Sequence, residues 1–197
     1  MDAKVCIAVV TNRKIQPKTV LSLLELKVNC EKFFVIATEG YTTAEGRTYC
    51  VVQAQRQNCT HILFVDDDMV FPPDTFEKLL ATGKEIVGVA SNSRVLPLTT
   101  TVAVQDENGK FIPHDKIAFP KLPTELFKCY AVGMGVCLID MKVFEKIEKP
   151  FFHFETHESG KVLVGEDAWF CRQAKKVGYE IWCEPSIKIG HIGNYIF

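Results

Sequence analysis

The sequence predicts an α/β fold in which a mostly parallel central sheet is flanked by helices within a single domain. Over residues 5–90, short apolar runs rich in β-branched residues alternate with segments whose apolar residues recur at helical spacing. One run, residues 62–65, is continuously apolar, which is typical of strands buried on both faces of a parallel sheet. The length of 197 residues accommodates one domain with a sizeable core but not two large domains. This alternation indicates a Rossmann-like architecture.

Residues 1–90 divide into successive strand and helix units. Strands are predicted over residues 5–10, 33–37, 62–65 and 85–90. Helices are predicted over residues 17–26, 42–57 and 72–81. Pro17 suits the start of its helix, Thr42 or Thr43 suits the N-cap of the next, and Gly83 suits the end of the third.

Residues 91–128 lose this regular alternation and carry several prolines and a turn signal at 107–109. We expect a short strand within 101–105 and an irregular excursion over one edge of the sheet, of the kind that often forms a lid or a substrate wall. Regular structure is then predicted as a strand over 130–139, a short helix over 141–147, a helix that begins near Gly165, and strands over 180–183 and 187–190.

Charge, cysteine usage and the first apolar run restrict the function classes. Lys and Arg number 23 against 24 Asp and Glu, so the net charge of −1 supplies no broad positive field and we expect no nucleic acid partner. The eight cysteines are scattered without a Cys-x-x-Cys pair, which is typical of reduced thiols in the cytoplasm. The run at residues 5–10 is too short for a signal sequence or a membrane span, so no integral membrane segment is expected.

Three consecutive carboxylates, Asp66, Asp67 and Asp68, follow the apolar strand predicted at residues 62–65. Adjacent anions repel one another at the end of a buried strand, so a cation is expected close by. The carboxyl ends of parallel strands form the edge where open α/β sheets bind ligands. Asp66 and Asp68 can face one side, which suits Mg²⁺ or Mn²⁺ held by one or two carboxylates together with substrate phosphates. The alternative is a solvated acidic turn before the next helix.

Two further motifs lie in the second half of the chain. Glu166 and Asp167 start an amphipathic helix, where acids also have a purely structural role because they interact favourably with the helix dipole. His191 lies at a predicted strand end within the short segment 190–193, which begins and ends with glycine. An isolated histidine in such a position is commonly a surface or capping residue, although imidazole is an acceptable ligand for Mn²⁺.

The segment over residues 62–73 reads Ile-Leu-Phe-Val-Asp-Asp-Asp-Met-Val-Phe-Pro-Pro. It resembles the Asp-x-Asp motif of the small, family 2-like GT-A glycosyltransferases, in which an apolar strand, the acids, a hydrophobic residue and a proline pair precede a helix. The resemblance implies a GT-A fold and a Mn²⁺ or Mg²⁺ ion held on the diphosphate of a nucleotide sugar. It places Asp66 toward the ribose or the metal and makes Asp68 the principal ligand. Asp67 turns the motif into a triple acid, which leaves open which pair binds the metal.

The other motifs occur in the order that this family shows. The resemblance implies that Asp167, with Glu166 as the second choice, is the general base that takes the proton of the acceptor hydroxyl. It also implies that His191 completes the metal site.

Three residues of the first half have weaker assignments. Thr11 and Asn12 follow the first strand, where the family places the nucleotide base, although an ordinary polar turn explains them equally well. Arg47, near the start of the second predicted helix, is assigned to the ribose or the diphosphate, with an exposed helix arginine as the alternative.

The resemblance, with its three motifs in the expected order, implies a metal-dependent glycosyltransferase that moves a sugar from a UDP- or GDP-sugar to a carbohydrate or other hydroxyl acceptor. Inversion at the anomeric centre is expected because family 2-like enzymes usually invert. Residues 1–90 would bind the nucleotide sugar, and residues 91–197 would supply the acceptor site and the base.

Two alternative functions stay open. A haloacid dehalogenase-like phosphatase would use Asp66 as nucleophile and Asp68 as acid/base, but that motif normally ends the first strand of its fold, whereas two strand and helix units precede it here. A non-catalytic sugar-nucleotide or carbohydrate binding module would keep the Rossmann-like half without needing a base.

Overall fold

The computed structural model describes residues 3–12, 14–38, 40–92, 94, 99–105, 111–112 and 122–193. The helices are α1 (Pro17–Glu25), α2 (Thr43–Arg56), α3 (Thr75–Ala81), α4 (Val143–Lys146) and α5 (Glu166–Lys176). The strands are β1 (Lys4–Val10), β2 (Glu31–Ala37), β3 (His61–Asp66), β4 (Met69–Val70), β5 (Ile86–Gly88), β6 (Val104–Gln105), β7 (Phe111–Ile112), β8 (Phe127–Cys129), β9 (Val136–Asp140), β10 (Glu155–Thr156), β11 (Val162–Val164), β12 (Ile181–Cys183) and β13 (Gly190–His191).

The main sheet contains seven strands in the order β2, β1, β3, β9, β5, β12 and β8. Strands β1, β2, β3, β5 and β12 share one direction, and β9 and β8 run against them. The predicted α/β fold with a mostly parallel central sheet is therefore confirmed. Because β1 and β3 are parallel neighbours, the residues that follow them meet at one edge of the sheet. The antiparallel β9 begins at that same edge, so residues 133–135 also lie there.

The core consists of two apolar layers, one on each face of the sheet. One layer packs Phe64 against a group of aromatic rings that includes Phe152 and Phe170, and it also contains the buried residues of α2. The other layer packs Leu63 against Phe76 and neighbouring residues of the α3 side. Burial of apolar area on both faces explains why the strand β3 is apolar throughout and why its acids begin only at its end.

Helix α2 begins with a capping box and packs closely on the sheet. Thr42 Oγ1 accepts a hydrogen bond from the Glu45 backbone N–H, and the Glu45 carboxylate accepts one from the Thr42 backbone N–H. Gly46 lies against Val10, because a Cβ atom at Gly46 would lie 2.7 Å from Val10 Cγ1. This close approach places residue 47 of the helix beside the strand ends.

Helix α1 differs from the amphipathic helix that its leucines predict. It buries Thr19 and Ser22 and leaves Leu21 and Leu24 exposed. The reason is that α1 is tied along the segment that follows β3. Gln16 N–H donates to Asp67 O at 2.8 Å, Phe71 N–H donates to Ser22 Oγ at 3.2 Å, and Lys27 N–H donates to Pro73 O at 2.8 Å.

Other boundaries differ from the predictions in the second half of the chain. The strand predicted over 130–139 is wrong in its first part, because β9 is formed only by Val136–Asp140 and residues 133–135 form the turn that precedes it. The strand predicted over 187–190 is replaced by β13, which pairs with β4 outside the main sheet. The short strand predicted within 101–105 is confirmed in part by β6. The turn predicted at 107–109 lies outside the described residues.

The cysteines are free, as their spacing predicts. Burial raises the pKa of the Cys50, Cys171 and Cys183 thiols to about 12, so these side chains are inert apolar core residues. Across the described ranges, no helix has both the length and the hydropathy to cross a bilayer.

We expect Gly46→Ala to destabilise the protein by about 1–3 kcal/mol, because the new methyl group overpacks the contact with Val10. Gln55→Ala, on the exposed side of the same helix, is the matched control and should change the free energy of unfolding by less than about 0.5 kcal/mol. Urea denaturation of the three proteins measures both changes. A Gly46→Ala protein as stable as the wild type would show that α2 does not pack this closely on β1.

Candidate active site

The triple acid occupies a turn that is fixed by backbone hydrogen bonds to three other parts of the chain. Strand β3 ends at the first acid, and residues 67–68 lead into β4. The backbone groups of residues 66–68 bond to Gly135 O at 2.9 Å, Gln16 N at 2.8 Å and Ile192 N at 2.8 Å. The carboxylates therefore project from a backbone that has little freedom to move.

Arg47 joins the two acidic motifs. It is only 2% exposed, although it lies in the first turns of α2. Its Nη2 donates to Asp66 Oδ1 at 2.9 Å, its Nη1 donates to Glu166 Oε1 at 2.8 Å, and Nη1 also pairs with Asp167. The alternative of an exposed helix arginine is therefore wrong. One planar guanidinium supplies the positive charge that the repulsion among these acids requires.

Asp167 is held at the start of α5 by two partners on different elements. Its Oδ2 accepts a hydrogen bond from the Met134 backbone N–H at 3.1 Å, and its other oxygen faces Arg47. The side chain of Asp167 is 31% exposed, whereas that of Glu166 is 13% exposed. Of the two adjacent acids, Asp167 is thus the one more accessible to a ligand.

The middle acid, Asp67, turns away from its neighbours toward β1. Thr11 Oγ1 donates to Asp67 Oδ2 at 2.6 Å. Burial raises the pKa of Asp67 above its ordinary value, and the charges of Asp68 and Asp66 act in the same direction. The contact between Thr11 and Asp67 leaves Asp66 and Asp68 as the acids that face the second half of the chain.

Asp68 and His191 form a pair whose geometry fixes the imidazole. His191 Nδ1 lies 2.8 Å from Asn92 O, and Nε2 lies 3.3 Å from Asp68 Oδ1. Because a carbonyl oxygen only accepts hydrogen bonds, Nδ1 carries the hydrogen and Nε2 points at the carboxylate. The hydrogen bond that a protonated Nε2 donates to Asp68 raises the pKa of His191. Burial alone would raise the pKa of Asp68, but His191 and Arg94 outweigh burial and hold it below its ordinary value.

These side chains line one polar cavity of about 760 Å³ at the carboxyl ends of β1 and β3. Every site residue that the sequence predicted lines it, namely Thr11, Asn12, Arg47, Asp66, Asp67, Asp68, Glu166, Asp167 and His191. The sequence did not single out Arg94 or Lys14, which also line the cavity. Arg94 Nη1 donates to Asp68 Oδ2 at 2.7 Å. The sequence signal that could have indicated Arg94 was its location in the irregular segment predicted to form a lid or a substrate wall.

A second, smaller cavity of about 260 Å³ adjoins the first. The two cavities share Asp66, Glu166, Asp167 and His191. The rest of its wall is made of small or apolar residues, including Gly133, Ala131 and Val132. A Cβ atom at Gly133 would lie 3.7 Å from Asp167 Oδ2, so the missing side chain keeps the approach to that carboxylate open.

The described side chains supply only part of the coordination that a metal ion requires. Within the described part of the chain, no group of three or more His, Cys, Asp or Glu side chains converges on one point. The physical reason is that Asp66 is bound by Arg47 and Asp67 by Thr11, so Asp68 and His191 are the pair that meets. One or two carboxylates and an imidazole fit Mn²⁺ or Mg²⁺ when water or phosphate oxygens supply the other ligands.

Solved structures of other proteins share this architecture. The crystal structure of A197 from STIV aligns with a TM-score of 0.68 and 18% identity over 96% of this chain and 85% of that chain. GalNAc-T7 with UDP, GalNAc and Mn²⁺ aligns with a TM-score of 0.63 and 11% identity over 100% of this chain and 44% of that chain. S. aureus TarS 1–349 in complex with UDP-GlcNAc aligns with a TM-score of 0.55 and 12% identity over 98% of this chain and 59% of that chain. The chain has a GT-A-like fold.

These likenesses confirm the predicted resemblance to GT-A glycosyltransferases at the level of the fold. The chain spans less than two thirds of the GalNAc-T7 and TarS chains. No protein-family model matches the sequence, and no curated protein sequence matches it.

We expect Arg47→Met to destabilise the protein by about 3 kcal/mol, the lower end of the range for breaking a buried pair, because it removes a buried guanidinium from Glu166 and from the half-buried Asp66 and Asp167. Arg172→Met is the control, since Arg172 also pairs with an acid, Glu155, but at a site where both side chains are about one third exposed. Its loss should cost about 1 kcal/mol or less. Equal effects of the two substitutions on the free energy of unfolding would contradict a buried hub at Arg47.

Proposed function

We propose that the protein is a metal-dependent glycosyltransferase that moves a sugar from a nucleoside diphosphate sugar to an acceptor hydroxyl. The observation that supports this most directly is the convergence of three distant motifs, at residues 66–68, 166–167 and 191, on one cavity of a GT-A-like fold. Two neighbours with that fold contain UDP or UDP-GlcNAc, and one of them also contains Mn²⁺.

The charge of the cavity supports metal dependence. Five carboxylates and three cationic side chains, Lys14, Arg47 and Arg94, line it among the described residues, which leaves a net charge of −2 when His191 is neutral. A diphosphate is itself anionic, so without a cation it would enter a cavity of its own sign. A divalent ion held by Asp68 and His191, with Asp66 adjacent, would offset this repulsion and neutralise charge on the departing diphosphate.

The nucleotide is assigned to the side of the cavity formed by the first half of the chain. Thr11 and Asn12 follow β1 there, and Lys14 supplies a positive charge at the same wall. Arg47 acts on the carboxylates instead of on the ribose or diphosphate, because its guanidinium already bonds to acids on two elements. Residues 1–90 then bind a UDP- or GDP-sugar, and residues 91–197 supply the acceptor side.

Asp167 is the proposed general base, with Glu166 as the less exposed second choice. Its carboxylate lines both the polar cavity and the smaller one, and the smaller one is the proposed site of a carbohydrate or other hydroxyl acceptor. Met134 N–H and Arg47 orient the carboxylate so that it can take the proton as the hydroxyl oxygen attacks the anomeric carbon. Direct attack on the face opposite the leaving diphosphate inverts the anomeric centre.

The compartment and the absence of a nucleic acid partner are proposed on composition. Free, buried thiols suit a reducing cytoplasm, and a net charge of −1 gives no electrostatic attraction for a phosphate backbone.

We expect UDP or GDP to stabilise the protein against heat only when Mn²⁺ or Mg²⁺ is present, because the cation cancels the repulsion between the diphosphate and the acids. Asp68→Asn should weaken metal-dependent nucleotide binding about tenfold or more. Asp140→Asn is the matched control, since Asp140 stands opposite His61 in the register of β3 and β9, at the edge of the sheet away from the cavity. Thermal shift and calorimetry with and without metal measure both effects. Nucleotide binding that is indifferent to metal and to Asp68 would refute the metal assignment.

We expect Asp167→Asn to lower the turnover of the responding donor by about 10² to 10⁴-fold, because the acceptor hydroxyl loses its base. Nucleotide and Mn²⁺ should still bind within about threefold of the wild type, since Asn preserves the shape of the side chain. A chromatographic assay of sugar transfer and calorimetry separate the two readouts. A wild-type protein that binds the donor but turns over none of it would instead be a binding module.

A further inference from the structure

Helix α1 exposes three apolar residues to solvent. Leu24 is 76% exposed, Leu21 is 57% exposed and Val20 is 38% exposed. Positions 20, 21 and 24 lie on one side of a helix, because residues one turn apart are neighbours. The opposite side buries Thr19 and Ser22 and packs Leu23 against the core, which leaves the three exposed apolar residues without a partner in the described structure.

The edge strand β2 adds to the same surface. Phe34 and Ile36 are 45% and 49% exposed, and they pair in register with Ile7 and Val9 of β1. Paired residues of neighbouring strands point to the same face of a sheet. Ile7 and Val9 belong to the apolar layer against which Leu23 of α1 packs, so Phe34 and Ile36 project on the α1 side. The five exposed residues Val20, Leu21, Leu24, Phe34 and Ile36 are called the α1 face below.

Lysines surround this apolar surface. Lys14 precedes α1, Lys18 lies in its first turn, Lys27 follows its end, and Lys32 shares the outward side of β2 with Phe34 and Ile36. All four are exposed, and none has an ion pair with a described residue. The nearby acids are Glu31, which is paired with Lys4 at 2.7 Å, and Glu25, which is exposed at the end of α1. Four lysines against Glu25 leave the surroundings of the α1 face locally basic in a chain whose net charge is −1.

We propose that the α1 face binds reversibly to the surface of an anionic lipid bilayer. An exposed apolar stripe with a basic frame is the arrangement in which side chains enter the headgroup region while lysines meet anionic headgroups. The small number of apolar residues indicates weak, reversible binding rather than permanent anchoring. This inference rests on the fold and its surface and holds whether or not the chain transfers sugars.

Docking by this face would bring the polar cavity close to the bilayer. Lys14 belongs to both the basic frame and the cavity wall. The residue before α1, Gln16, bonds to the turn that carries the triple acid. An acceptor held at a membrane surface would then be presented near the mouth of the cavity.

A second copy of this chain is the competing occupant, because β2 is the edge strand of the sheet that the described residues form and carries exposed apolar residues. Pairing of two β2 strands would extend the sheet and bring two sets of exposed lysines to one side of it. The resulting repulsion disfavours the dimer, whereas the same lysines favour an anionic bilayer.

Vesicle sedimentation of the full chain tests the proposal. The vesicles are phosphatidylcholine with about 30% phosphatidylglycerol, which is anionic, or pure phosphatidylcholine. Binding to the anionic vesicles should exceed binding to the neutral ones about tenfold and should fall steeply in about 0.5 M salt. The double substitution Leu21→Ser with Leu24→Ser should reduce binding about tenfold, and Lys18→Glu about fivefold or more. Leu163→Ser, at a residue 61% exposed on β11, is the matched control and should leave binding within twofold.

Thermal unfolding of each variant shows whether it is folded, which separates lost docking from lost structure. Equal binding to neutral and anionic vesicles, no binding to either, or equal effects of the α1 and β11 substitutions would overturn the proposal. Sedimentation equilibrium that reveals a dimer which Ile36→Lys dissociates would overturn it in favour of a second copy.

Discussion

The pairing of three acids with one buried guanidinium is the interaction on which the candidate site depends. Arg47 on α2 bonds to Asp66 at the end of β3 and pairs with Glu166 and Asp167 at the start of α5. These elements are far apart in the chain but must converge for the acids to face one cavity. Without the guanidinium, repulsion would push β3 and α5 apart at that edge. Helix α2 packs closely on β1 because residue 46 is glycine, and this packing brings Arg47 within reach of the three acids.

The parts of the fold that the sequence predicted are those with strong local signals. The capping box of α2 and the uninterrupted apolar run of β3 depend on residues a few positions apart, so their elements were predicted almost to the residue. The orientation of α1 was not predictable, because a leucine stripe does not reveal that Ser22 will bond to Phe71. The strand predicted over 130–139 was confirmed from Val136 onward and wrong before it, because the backbone at Met134 bonds to Asp167 instead of pairing in the main sheet.

The candidate site shows the same division. The acids and His191 were recognisable because each follows or begins an element at the ligand-binding edge of an α/β sheet. The roles of Arg47 and Thr11 were not recognisable from local sequence, since their partners lie up to 119 residues away. Arg94 was missed because an irregular segment offers no periodicity from which to infer the direction of a side chain. Long-range ion pairs, in contrast to caps and strands, emerge only from the assembled fold.

The central claim is that the tip of β3 and His191 together hold a divalent cation on a nucleoside diphosphate. Pulsed electron paramagnetic resonance of Mn²⁺ added with UDP or GDP tests this directly, because it detects the nuclei bonded to the metal. Mn²⁺ bound in this way should show phosphorus couplings from the diphosphate and one imidazole nitrogen coupling that disappears in His191→Phe. A spectrum of fully hydrated Mn²⁺, without nitrogen or phosphorus coupling, would contradict it.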